Sequence, residues 1–263
     1  MSDPVELSAA SRSERGARKS NEDKVRVCRE GARWIAVVAD GAGGHRDGAE
    51  ASRRAVDSLE SSLCENEPAF GPMSLSAAVV AAHDDVQGAQ SDAHGVARMH
   101  STVVVLWVDC DSATALWSHV GDSRLYRVRD GAAVVLTSDD SVVQRLVDAG
   151  LITPLEAESH PQKNQLIAAL GIEGGVEPHT VTAPQSIAEG DAFLLCTDGW
   201  WSALDAEGMV VSLERASTPD EWLMAMQVRI EASAGPRQDN YSAVAIWVRD
   251  PQQTTVPMSM PAR

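Results

Sequence analysis

The chain lacks the features that mark several common protein classes. Its four cysteines, Cys28, Cys64, Cys110 and Cys196, lie far apart and form no CxxC pair. That spacing suggests neither a zinc knuckle nor a redox pair. The longest apolar runs, near Trp34–Ala39 and Val103–Val108, fall far short of a membrane span. The first 20 residues are polar, with no apolar core of a secretion signal. Positive charge is also scarce: 22 Lys and Arg stand against 38 Asp and Glu, a net charge of -16. Such a surface repels phosphate backbones, so neither nucleic acid nor an anionic membrane is expected as a partner. A reducing cytoplasmic compartment is the expectation. With 263 residues, one sizeable core fits the length best.

What is present reads as alternating strands and helices. Trp34–Ala39, Thr102–Val108, Thr114–Val120, Ala192–Thr197 and Ser242–Val248 are apolar and rich in β-branched residues, so they predict strands. Arg124–Val128 and Ala133–Leu136 flank a hairpin signal at Asp130-Gly131. Helical spacing predicts helices over Ala49–Leu63, Ser74–Gln90 with Ser74 as its cap, Asp140–Leu151 and Glu221–Glu231. Strands in hairpins with paired helices point to an α+β sandwich and not to a doubly wound parallel sheet. Residues 1–9 and 250–263 are expected to be loose ends around a domain at 10–249.

The acidic residues concentrate at strand ends. Asp40 and Asp198 each close an apolar run, Asp122 follows another, and Asp239 precedes the last. Glu22 and Asp23 precede a short strand at Lys24–Cys28. Carboxylates that converge in space repel unless a cation neutralises them. Oxygen donors without nearby Cys or clustered His select hard ions, Mg²⁺ or Mn²⁺. The plainer reading is that Asp-Gly is a turn dipeptide. It occurs four times here, at Asp40, Asp47, Asp130 and Asp198, and Asp130-Gly131 suits a simple turn. Residues 41–44 are Gly-Ala-Gly-Gly without the Lys-Ser/Thr of a phosphate-binding P-loop.

In order along the chain stand Arg18-Lys-Ser-Asn-Glu-Asp23, Val38-Ala-Asp-Gly-Ala-Gly-Gly-His45, His100-Ser-Thr102 and Val120-Gly-Asp-Ser-Arg124. Leu136–Leu151, with Thr153-Pro and Ser159-His-Pro161, Leu195-Cys-Thr-Asp-Gly199 and Asp239-Asn240 follow. Together they resemble the metal-dependent PP2C (PPM) protein phosphatases in their compact bacterial form. The resemblance implies a four-layer αββα sandwich, two antiparallel sheets flanked by helix pairs. It implies hydrolysis of phosphoserine and phosphothreonine on proteins, opposing a bacterial Ser/Thr kinase, by a monomer. It implies two Mn²⁺ or Mg²⁺ ions held by Asp40, the Gly41 carbonyl, Asp198 and Asp239, and a third, weaker ion at Asp122. Glu22, Asp23 and Asn240 would stand behind these ligands, and Arg18 would grip the substrate phosphate.

One position departs from the family. Many members carry His directly after the Asp-Gly as a proton donor, whereas this chain has Ala42. His45 or a metal-bound water is left for that task, His160 lies in the flap where it would meet the substrate, and His119 reads as a strand histidine with a structural hydrogen bond. Ala42 also keeps open a regulatory domain that binds phosphoprotein without turnover. A phosphatase of a partner-switching stress pathway is a further alternative. The layout also resembles phosphatases that accompany type VI secretion kinases. Trp200-Trp201 is read as packing of the Asp198-Gly199 turn.

Overall fold

A computed structural model describes residues 4–42, 46–90 and 99–249. The strands are β1 (Glu6–Glu14), β2 (Asp23–Glu30), β3 (Arg33–Ala42), β4 (His100–Ser101), β5 (Val103–Asp109) and β6 (Thr114–Val120). They continue with β7 (Arg124–Arg129), β8 (Ala132–Val135), β9 (His179–Thr180), β10 (Gln185–Ser186), β11 (Ala192–Cys196) and β12 (Tyr241–Arg249). The helices are α1 (Arg46–Glu60), α2 (Pro72–Gly88), α3 (Val142–Asp148), α4 (Pro154–Glu158), α5 (Asp198–Trp201), α6 (Ala206–Leu213) and α7 (Pro219–Ser233). A π-helical turn, Ser61–Glu65, extends α1.

One antiparallel sheet runs β1-β12-β11-β7-β8. The other runs β10-β6-β5-β3-β2, with β4 added to β3 and β9 to β6. Strand alternation explains why their sequences are unbroken apolar runs. In β3, Ala36 and Val38 point between the sheets, while Ile35, Val37 and Ala39 pack under α1 and α2. In β5, Val104, Leu106 and Val108 take the first role and Val103, Val105 and Trp107 the second. A strand buried on both faces has no polar side to display. In the other sheet, Leu194 of β11 and Ala243 and Ala245 of β12 pack against Trp222, Leu223 and Met226 of α7. The result is the expected αββα sandwich.

Four expectations change. Residues 6–9 are not loose: β1 pairs with β12 along its whole length, from Glu6↔Arg249 to Glu14↔Tyr241. As an edge strand it carries polar residues on its outer face, so its apolar signal is weak. Ser74 does not cap α2. The helix starts at Pro72, whose missing N–H costs nothing in the first turn. The helix expected from Asp140 starts at Val142, because Ser141 takes the cap: its hydroxyl accepts from the Gln144 N–H at 3.2 Å. It closes at Gly150, φ +69°, whose N–H bonds the Val147 carbonyl. Asp40 lies within a strand and not at its end, since β3 continues to Ala42 to pair with β4. Asp130 and Gly131, φ +51° and +72°, form the plain hairpin turn. The C-terminal segment 250–263 lies outside the described residues.

Candidate metal centre

The sandwich brings five aspartates to one rim. Asp40 on β3 stands directly opposite Asp23 on β2. Asp122 lies in the β6–β7 turn, Asp198 opens α5, and Asp239 precedes β12. Main-chain and hydroxyl bonds hold Asp40 and Asp23 in place. The Asp40 N–H bonds the Thr102 hydroxyl at 3.0 Å, and its carbonyl accepts from the Thr102 N–H at 2.8 Å and the Ser101 hydroxyl at 3.0 Å. Thr102 in turn shares a 2.7 Å bond with Ser123, beside Asp122. Thr197 donates its hydroxyl to Asp23 at 3.0 Å and accepts from the Ser242 N–H at 3.0 Å.

Two close backbone approaches complete the rim. A side chain at Gly41 would lie 2.0 Å from the Gly48 carbonyl oxygen in the first turn of α1. One at Gly199 would lie 2.0 Å from the Asn240 carbonyl oxygen. Only glycine permits such contacts, so both Asp-Gly pairs serve close approach and not turning. Asn240 is the brace: it accepts from the Glu22 N–H at 2.9 Å and donates to the Arg15 and Ser20 carbonyls at 2.8 and 2.9 Å. The Glu22 carboxylate rests against Gly48.

The electrostatics follow from this crowding. Burial pushes the Asp40 carboxyl well above its ordinary range, and Asp23, Asp198, Asp122 and Asp239 push it further. Burial, aided by Asp198 and Asp239, raises Asp23 to about 7 against hydrogen bonds from Ser242 and Thr197. Burial with Asp198 and Asp139 raises Asp122 to about 8. Burial with Asp239 raises Asp198 to about 6. Asp23 Oδ1 and Asp198 Oδ1 are buried with no hydrogen-bond partner. An all-oxygen donor set, mutually repelling and with orphaned oxygens, fits a hard divalent cation. It does not fit a closed hydrogen-bond network.

Arg18 pairs with Asp239 at the exposed edge of this cluster. His45 lies outside the described residues. The His160 ring, half-buried on the segment after α4, accepts from the Gln162 N–H at 3.2 Å. His119 is the expected strand histidine, bonded to the Ser138 carbonyl at 2.8 Å. Trp200 is fully buried against Tyr241, as packing requires. Trp201 does more: its indole N–H bonds the Asp122 carbonyl at 2.9 Å, and Arg124 lies 3.6 Å above its ring. Arg124 also makes two bonds to Asp139, at 2.9 and 2.8 Å. Sequence reasoning missed these supports. It also missed that His100 faces Ala42 across β3 and β4.

A sandwich with a carboxylate rim defines a class of proteins built to hold divalent cations with oxygen donors. Comparison makes the class particular: a family description, protein phosphatase 2C, matches residues 10–221. The chain belongs to the protein phosphatase 2C family. It is 37% identical over 246 residues to the serine/threonine protein phosphatase PstP of Mycobacterium tuberculosis. That match covers 93% of this chain and 45% of the relative, so the chain spans about half the length of that protein. A crystal structure of the M. tuberculosis phosphatase superposes with TM-score 0.81 at 33% identity, covering 94% of this chain and all of that one. The PstP catalytic domain in complex with two manganese ions gives TM-score 0.78 at 31% identity, over 94% and 99% of the two chains. PppA, a key regulatory component of type VI secretion in Pseudomonas aeruginosa, gives 0.75 at 29%, over 94% and 100%.

Proposed function

We propose that the chain is a Mn²⁺- or Mg²⁺-dependent phosphatase acting on phosphoserine and phosphothreonine of proteins, opposing a Ser/Thr kinase in the bacterial cytoplasm. The observation that carries this reading is the convergence of five aspartates on one rim, two of them, Asp23 and Asp198, with orphaned buried oxygens. Asp40, the Gly41 carbonyl, Asp198 and Asp239 would hold two ions, and Asp122 a third. Bound there, such ions supply an acidified water and offset charge on the phosphoryl oxygens. Asp23 stands against Asp40 and fixes its approach. Arg18 would exchange Asp239 for the substrate phosphate. Its planar guanidinium can hold two phosphoryl oxygens and so set the line of attack. His45 is the candidate proton donor to the leaving oxygen, given Ala42. The likeness to PppA supports a narrower reading, regulation of type VI secretion by removing phosphate from one of its components.

The test is hydrolysis of p-nitrophenyl phosphate and a phosphothreonine peptide by wild type and Asp198→Ala, with Mn²⁺, Mg²⁺ or EDTA. Turnover that needs the metal and is lost in Asp198→Ala is expected. A folded protein that turns over neither substrate with either ion refutes the phosphatase reading and leaves the regulatory domain, to be tested by phosphoprotein binding.

A further inference from the structure

A second cluster of ligating groups lies behind the Asp122 turn. β9 is only His179 and Thr180, laid along β6 so that His179 stands opposite His119. Directly opposed residues share a sheet face, and the two imidazoles stack with centroids 4.9 Å apart and planes at 22°. Asp140 joins them, its Oδ1 2.9 Å from His179 Nε2. One nitrogen of each ring and one Asp140 oxygen all lie within 4.8 Å of one another. Asp140 is itself held firmly: its Oδ2 accepts from the Gly121 N–H at 3.0 Å, and its own N–H bonds the Gly121 carbonyl at 2.9 Å.

His119 carries the argument. It is 4% exposed. Its Nε2 contacts the Ser138 carbonyl, which can only accept, so Nε2 bears the hydrogen. Burial lowers its pKa and keeps the ring neutral. The lone pair therefore sits on Nδ1, and that atom is buried with no hydrogen-bond partner. A structural role for the cluster accounts for the His179–Asp140 contact and for the stacking. It leaves Nδ1 unexplained, and folded proteins rarely leave a buried acceptor unmade. A neutral imidazole whose far N–H is fixed by a backbone carbonyl is the arrangement of a metal-bound histidine.

We infer that His119, Asp140 and His179 form a second cation site, chemically distinct from the aspartate rim and suited to Zn²⁺. Two imidazoles and one carboxylate favour Zn²⁺ over Mg²⁺ or Mn²⁺. Donors about 2.1 Å from one ion stand roughly 3.0–3.4 Å apart, and the His179–Asp140 pair at 2.9 Å is already close to that. The stacked rings must turn for both lone pairs to meet one ion, and the His179 side chain, 55% exposed, has solvent on one side into which to turn. A cavity of about 310 Å³ lined by Asp139, Asp148 and Glu177 opens beside it, giving the ion a path and room for a water ligand. Ligation through Nε2 puts the His179 hydrogen on Nδ1, so the neutral ring keeps one N–H and the Asp140 oxygen is released to face the ion. The site shares no ligand with the rim, yet Asp140 grips the residue next to Asp122.

The test is Zn²⁺ titration of the full chain in a large excess of Mg²⁺, which competes at the oxygen-only rim. Binding is read by calorimetry and by the ¹⁵N shifts of the histidine rings. One Zn²⁺ equivalent that moves the His119 and His179 nitrogens, retained in Asp198→Ala, is expected. His179→Ala should weaken it more than about tenfold, since loss of even an outer partner costs that much. His179 is exposed enough for this variant to fold, and thermal unfolding checks that it does. Unchanged Zn²⁺ affinity in folded His179→Ala, or ring nitrogens that do not move, would overturn the assignment. Loss of binding in Asp198→Ala with His179→Ala unaffected would place the ion at the rim and also overturn it.

Discussion

Gly41→Ala tests how tightly the rim is drawn. The added Cβ would meet the Gly48 carbonyl oxygen at 2.0 Å and the Glu22 carbonyl oxygen at 2.8 Å. Both are main-chain atoms, so no side chain can rotate aside. Contacts below 3.0 Å essentially never occur, so β3 and the start of α1 must part by at least 3.0 − 2.0 = 1.0 Å. That movement stretches the Gly41 N–H bond to Glu22, now 3.1 Å, and disturbs the 2.5 Å bond from the Ser52 hydroxyl to the same carbonyl. Overpacking costs about 1–3 kcal/mol and a weakened hydrogen bond about 1 more. At roughly 2–4 °C per kcal/mol for a chain near this size, the melting temperature should fall by about 5–15 °C. The Gly41 carbonyl moves as well, so the Mn²⁺ concentration for half-maximal turnover should rise. Gly235→Ala is the control, because nothing lies within 4 Å of its added Cβ. Differential scanning calorimetry and a Mn²⁺ titration of p-nitrophenyl phosphate hydrolysis are the assays. Gly41→Ala that melts with the control and keeps its Mn²⁺ dependence would refute the reasoning.

Asp198→Asn removes one charge from a cluster that holds Asp198 near 6, so in EDTA at neutral pH it should melt above wild type. A carboxyl with a raised folded pKa opposes folding increasingly as pH climbs past its unfolded value and fully above the folded one, here by about 1–3 kcal/mol, and the same variant should lose turnover. Thr197→Val leaves the Asp23 carboxylate and the Ser242 N–H without their shared hydroxyl and should cost about 1–3 kcal/mol in urea unfolding. Mn²⁺ at 100 times its Kd should raise wild-type stability by about 2.7 kcal/mol, and Asp40→Asn should abolish that gain in a thermal shift assay. His45→Ala should slow the phosphothreonine peptide by about 10²-fold or more while sparing p-nitrophenyl phosphate, whose leaving group needs no proton. Equal losses on both substrates would exclude His45 as the proton donor.

The strands were legible because most are buried on both faces, which writes an unbroken apolar run into β3, β5 and β12. β1 was not, because an edge strand needs little apolar character: only alternate residues such as Leu7 and Ala9 pack toward the inter-sheet core. The early end assigned to β3 arose from reading Asp40-Gly41 as a stop. In the fold the same glycine lets α1 approach the strand, and pairing with β4 continues past it. The acidic residues were each visible at a strand boundary, but their convergence came from the family resemblance and not from spacing. Nothing in the order of residues says that Thr102 lies beneath Asp40, or that Thr197 reaches Asp23. His119 and His179 meet only because a two-residue strand docks on β6.

The hydrogen bonding around Asp40 bears on how the centre works. Its N–H and carbonyl are both satisfied within the protein, by Thr102 and Ser101, and Asn240 ties the Arg15–Glu22 connection to β12. No bond in this frame requires an ion. Among the rim carboxylates described, Asp23 Oδ1 and Asp198 Oδ1 are buried without partners, and these are atoms a cation would meet. A scaffold fixed by neutral main-chain bonds can hold repelling carboxylates together because the buried sheets, not the rim, supply the stability. Binding energy is then not consumed in ordering loops, as it is where metal and fold form together. The protein should therefore keep its fold in EDTA while losing activity, and near- and far-ultraviolet circular dichroism should be unchanged by metal removal. A chain that unfolded on chelation would show instead that the rim, and not the sandwich beneath it, is the weaker part of the structure.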